Sequence, residues 1–134
     1  MGTVVVGYVP KPEGEAALDR AIDEAKLRGA RIVVVNSHRG GNEFDAPAAR
    51  QSEDDLEQVR ARLDGAGVEY DLRQLVRGFE PAEDLIGIAE EADAELIVIG
   101  LRRRSPVGKL ILGSNAQRIL LDAKCPVLAV KADD

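Results

Sequence analysis

The chain has 134 residues, the length of one ordinary domain, so one core is expected to serve residues 1–134 without a separate catalytic or regulatory module. Hydrophobic residues make up 45% and charged residues 31%, which suits a soluble globular domain and excludes a disordered tail or a membrane protein. Acidic side chains outnumber basic ones 24 to 18, and with no Trp, two Tyr and two Phe there is little to stack on bases, which argues against a nucleic-acid binder.

The first predicted element is a strand from Thr3 to Tyr8, β-branched and closed by Pro10 and Pro12. Its apolar run is too short for a membrane span and has no basic flank, so no leader is expected. Val6 also stands where a myristoylation motif wants Ser or Thr. From Glu13 the spacing of Ala16, Ala17, Ala21, Ile22 and Ala25 predicts a helix that stops at Gly29. Arg31 to Asn36 contains a continuous apolar run, as in a strand buried on both faces of a parallel sheet. Ser37 to Ser52 reads as a polar loop. Leu56, Val59 and Leu63 then mark a second helix ending near Gly65 or Gly67. Val68 to Val76 alternates as a third strand. Pro81 opens a third helix, with Glu80, Glu83 and Asp84 near its positive end. Leu96 to Ile99 is the fourth strand, ended by Gly100. A loop runs to Leu112, Gly113-Ser114-Asn115 leads into a fourth helix, and Cys125 to Val130 is the last strand.

Five strands alternating with four helices predict an α/β doubly wound parallel sheet, joined by right-handed crossovers. With the order 3-2-1-4-5, a ligand belongs outside the carboxyl ends of strands one and four, in residues 8 to 14 and 100 to 113. Charge counting points to the same place. Residues 1–99 carry 11 basic and 21 acidic side chains, whereas residues 100–134 carry seven basic and three acidic ones. A basic segment in an acidic chain suits an anionic small ligand, although a solvated basic turn at Arg102 to Arg104 would read alike.

The stretch from Gly100 to Ser114 has glycines that let backbone N–H groups approach an anion, followed by a helix start that supplies positive potential. It is not a Walker A loop, because Arg103 and Leu110 occupy the positions of that motif's first glycine and its Ser or Thr. A G-x-G-x-x-G fingerprint is absent after the first strand, where the chain reads Gly7-Tyr8-Val9-Pro10. Gly100, then Gly113-Ser114-Asn115-Ala116 before a helix, then Cys125-Pro126-Val127-Leu128-Ala129-Val130, resemble the universal stress protein family along the whole chain. That family's nucleotide loop is a G-x-x-G, nine residues and G-[ST].

The resemblance implies a Rossmann-like sheet of the adenine nucleotide α-hydrolase type. It also implies an ATP site, with ADP or AMP as alternatives and Mg²⁺ carried by the nucleotide. Carried over residue by residue, the site comprises Tyr8, Val9, Pro10, Ser37, Ile99, Gly100, Arg102, Arg103, Gly113, Ser114 and Asn115, with Asn36 beside Ser37 on the adenine side. Two positions depart from the family pattern. Val9 stands where an Asp is usual, and Arg103 stands where the second loop glycine belongs; its side chain either obstructs the backbone approach or offers its guanidinium to phosphate.

The closing strand Val127–Val130 would be a sheet edge, and the resemblance implies a homodimer through it. The expected function is a cytoplasmic stress-response module that binds adenine nucleotide. The alternative is a nucleotide-free dimeric interaction protein whose pocket Val9 and Arg103 have altered. Enzymatic turnover is expected to reach at most a slow ATPase, because no positioned base or metal cluster accompanies the loop. His38 lacks partners for a metal or a nucleophile, Cys125 reads as a small buried side chain, and Asp54-Asp55 and Glu90-Glu91 read as solvated helix faces.

Overall fold

The computed structural model describes residues 2–38, 46–76, 81–101 and 114–132. The elements run β1 (Thr3–Gly7), α1 (Pro12–Arg28), β2 (Arg31–His38), α2 (Ala46–Ala66), β3 (Tyr70–Val76), α3 (Pro81–Glu91), β4 (Leu96–Leu101), α4 (Ser114–Asp122) and β5 (Val127–Lys131). All strand pairs are parallel, as the alternation of elements predicts, and the sheet order is β3-β2-β1-β4-β5, matching the expected 3-2-1-4-5.

β1 is the central strand, hydrogen-bonded to β2 on one side and β4 on the other. Val4, Val5 and Val6 are fully buried because helices cover both faces of the sheet. Strand alternation sends Val4, Val6, Ile32, Val34 and Val98 to the layer under α1 and α2, where they meet Ala17, Leu18, Ala21, Val59 and Leu63. Val5, Val33, Ile97 and Ile99 face the other layer and pack on Leu85 and Ile88 of α3 and Ile119 of α4. Burial of each such aliphatic side chain contributes about 1.5–3 kcal/mol. Helix α1 starts with Pro12 in its first turn and ends at Gly29, whose φ of 63° turns the chain so that the next N–H, that of Ala30, reaches the Ala25 carbonyl at 2.9 Å.

Several boundaries differ from those expected. β2 continues through Ser37 and His38, which pair with Leu75 and Val76 of β3, so the backbone ladder runs on past the apolar stretch that marked the strand. α2 begins at Ala46 rather than after Ser52. Its first turns lack an apolar stripe, and the helix there follows from Pro47 in the first turn and the strong helix formers Ala46, Ala48 and Ala49. β3 starts at Tyr70, two residues later than expected. β4 does not end at Gly100: that residue pairs with Val130 and Leu101 with Lys131. β5 starts at Val127, since Pro126 has no N–H for the ladder and contributes only its carbonyl, which accepts from Ile97 N.

Candidate functional site

At the carboxyl end of β1 the chain leaves the sheet through Tyr8, Val9 and Pro10. The Lys11 N–H bonds back to the Val9 carbonyl at 2.8 Å, a three-residue turn centred on Pro10. The Tyr8 N–H still belongs to the sheet, donating to Val35 O at 2.9 Å. Helix α1 then starts against two strand ends. A Cβ on Gly14 would lie 1.8 Å from Val9 O, so only a glycine lets the first turn of α1 sit on the turn that precedes it.

Between these parts lies a cleft of about 230 Å³. Gly7, Tyr8 and Val9 form one wall, with Glu13 from the first turn of α1 beside them, and Ile99 and Gly100 of β4 form the floor. Asn115, Ala116 and Ile119 of α4 close one side, and Pro81, Ala82 and Leu85 of α3 the other. The location is the β1/β4 switch point, where helix N-termini and strand ends converge. The walls are mostly aliphatic. The first turns of α3 and α4 both border the cavity, so the positive ends of the two helices lie at that end of the sheet.

Of the residues expected at the site, Tyr8, Val9, Ile99, Gly100 and Asn115 come together in this cleft. Pro10 adjoins it through the turn, and the exposed Ser114 starts α4 one residue before Asn115. Ser37 lies on β2 with its backbone paired to Leu75, and among the described side chains of β2 Val35 borders the cleft. Asn36 alternates to the α1/α2 face, is 1% exposed, and its Nδ2 finds no hydrogen-bond partner among the described residues. Arg102, Arg103 and Gly113 lie outside the described residues. Glu13 and Gly14 fall in the segment 8 to 14 expected beside the ligand but were not singled out, and Gly7, Leu85 and Ala116 were not anticipated. The glycines flanking the first strand were a readable signal, whereas nothing local marks the α3 residues.

Gly100 has a different reason from the one its sequence context suggested. A Cβ there would stand 1.9 Å from the carbonyl oxygen of Glu13, so this glycine admits the start of α1 against β4, and an anion is not needed to explain it. Val9 does not seal the cleft; it is 39% exposed on the wall.

Tyr8 has two faces. Its main chain borders the cleft, while its side chain, 3% exposed, packs under α1 and donates from Oη to Glu15 Oε1 at 2.6 Å. Burial first, then the hydrogen bond to Glu15 and the nearby carboxylates of Glu15 and Asp55, hold the phenol well above its ordinary pKa. Arg62 of α2 binds Glu15 through one guanidinium nitrogen and Asp19 through the other.

A second cleft, of about 330 Å³, lies at the opposite end of the sheet between α3 and the segment before β5. Cys125 is there, half-buried rather than fully buried as expected, and desolvation pushes its thiol pKa up, away from nucleophilic character. Its larger volume does not make it the better candidate, because it sits at the amino ends of the strands. Glu90 pairs with Lys124 at 3.3 Å, and Glu91 with Arg73 at 3.6 Å. Among the described residues no group of three His, Cys, Asp or Glu is placed to hold a metal ion, and no helix is long and apolar enough to cross a membrane.

Comparison with known proteins agrees with this fold. The model of the universal stress protein family matches residues 1–131. A universal stress protein of Mycolicibacterium smegmatis is 47% identical over 128 residues, covering 96% of each chain. The structure of a universal stress protein from Archaeoglobus fulgidus superimposes with a TM-score of 0.84 at 38% identity, over 98% of this chain and 99% of that one. A structure of the universal stress protein from the same organism in complex with dAMP gives 0.78 at 32% identity, over 98% of both chains.

Proposed function

This chain belongs to the universal stress protein family, and from that premise we propose that it is a cytoplasmic stress-response module, one domain over residues 1–134, that holds an adenine nucleotide in the β1/β4 cleft. The observation that carries the reading is the cleft itself, bounded by Val9, Gly100 and Asn115 at the switch point of the sheet. The dAMP complex of the 32% identical relative supports it. Aliphatic walls suit a purine, and the α3 and α4 N-termini suit phosphate. ATP is the ligand proposed first, with Mg²⁺ brought by the nucleotide, and ADP and AMP follow. Isothermal titration of nucleotide-stripped protein with each, and with dAMP, tests this at concentrations that detect a Kd of about 0.1 mM, near −5.5 kcal/mol. Saturable heat near one site per chain is expected; flat traces for all four overturn the reading.

The same proposal includes a homodimer through β5. Among the described residues this strand pairs only with β4, and Val127 to Val130 are each half-buried at that end of the sheet order. Light scattering at micromolar concentration is expected to give twice the mass of the 14.4 kDa chain. A monomer mass overturns this part alone.

A further inference from the structure

Behind the cleft, on the other side of the sheet, three residues form a continuous chain of contacts. Tyr8 Oη donates to Glu15 Oε1 at 2.6 Å, and the other Glu15 oxygen accepts from Arg62 Nη1. The second guanidinium nitrogen of Arg62 goes to Asp19, one turn further along α1. Arg62 therefore grips two successive turns of α1 with a planar fork that a lysine cannot reproduce. Each link lies on a different element: Tyr8 just past β1, Glu15 on α1, Arg62 on α2.

The same Tyr8 supplies main chain to the cleft wall, and the turn after it is closed by a single backbone bond, Lys11 N to Val9 O. With Gly14 pressed against Val9 O, the wall cannot shift without moving the first turn of α1, and Glu15 is in that turn. Arg62 lines neither face of the cleft. We infer that Arg62, acting through Glu15 and Tyr8, is a positioning residue for the β1–α1 wall of the nucleotide cleft, and so links the seating of α2 to ligand affinity. This rests on the nucleotide reading above.

The test is a double-mutant cycle on Arg62→Ala and Tyr8→Phe, with AMP affinity measured by titration and the thermal midpoint measured on the same samples. Residues in one network couple, whereas independent ones add. Each single variant is expected to weaken AMP binding about fivefold, and the double variant also about fivefold rather than about 25-fold. Arg62→Lys, which keeps the charge but not the fork, is expected to fall between wild type and Arg62→Ala. A role confined to stability would lower the thermal midpoint and leave affinity unchanged, and that result overturns the inference, as does an additive cycle. Amide exchange of the ligand-free protein gives a second readout: Arg62→Ala is expected to speed exchange at Lys11 about tenfold relative to the β1 amides, and unchanged exchange there also overturns it. Wild type that binds no nucleotide sinks the underlying reading and the inference together. Wild type that binds with an additive cycle sinks the inference alone.

Discussion

Gly100 of β4 and Glu13 of α1 touch backbone to backbone, close enough that a methyl group on residue 100 would overlap the Glu13 carbonyl at 1.9 Å. This contact sets how near the start of α1 comes to the end of β4, and hence the width of the cleft between them. Gly100→Ala forces the helix or the strand aside. It is expected to lower the unfolding free energy by about 1–3 kcal/mol, the usual range for overpacking. Urea denaturation reads the change, and a loss under about 0.5 kcal/mol would show that the contact relaxes freely.

The cleft can be filled from α4. Ala116 borders it from α4 and is only half-buried, so Ala116→Trp is expected to keep the circular dichroism spectrum while weakening AMP binding more than tenfold. Undiminished affinity in a folded variant would place the ligand elsewhere.

In the core, Leu18 of α1 is fully buried beside Ala21 and the β1 valines. Leu18→Ala leaves a cavity and is expected to cost about 2–5 kcal/mol. The loss appears as a shift of the urea midpoint at constant slope. A destabilisation under about 1 kcal/mol would mean that α1 collapses into the space.

The Tyr8 phenol keeps its proton more tightly folded than unfolded, chiefly through burial and the bond to Glu15, and the Asp64 hydrogen bond raises Tyr70 in the same sense. A raised folded pKa gives a contribution that is whole below the unfolded value near 10 and is lost as pH rises above it, because only the unfolded chain then releases the proton. Stability is expected to be flat in this respect between pH 7 and 9 and to decline above about pH 10. Tyr8→Phe should flatten that decline, with Tyr70 supplying what remains. An unchanged alkaline slope in the variant would remove Tyr8 as its cause.

Much of the architecture was legible because it is written in short-range pattern. The unbroken, mostly β-branched apolar runs at Val4–Val6, Ile32–Val35 and Leu96–Ile99 read as strands buried on both faces of a parallel sheet, and the alternation of strand and helix leaves few topologies. The amino half of α2 was missed because no apolar period marks it; propensity and a proline start carry the helix there. β4 was ended too soon because Gly100 was read as a loop glycine, while pairing with Val130 keeps it in the sheet. Of the residues that the family resemblance carried over, Val9, Ile99, Gly100 and Asn115 border the cleft, and strand ends and a helix start mark them locally.

By itself, then, the sequence determined the alternation of strand and helix and hence a parallel sheet, since these follow from hydrophobic period and connection handedness, whereas the order 3-2-1-4-5, and with it the switch point, is one of several that satisfy those rules. Only the tertiary structure decided which distant residues share the cleft. Leu85 and Ala116 reach it from separate helices, and Asn36 is turned away from it by the pleat of its strand. Gly100 answers to a carbonyl 87 positions earlier in the chain, and the Tyr8 hydroxyl is held by Glu15 of α1, which Arg62 of α2 binds in turn. Such pairings depend on where packed layers bring backbones to within a few ångströms, a distance that no local pattern encodes.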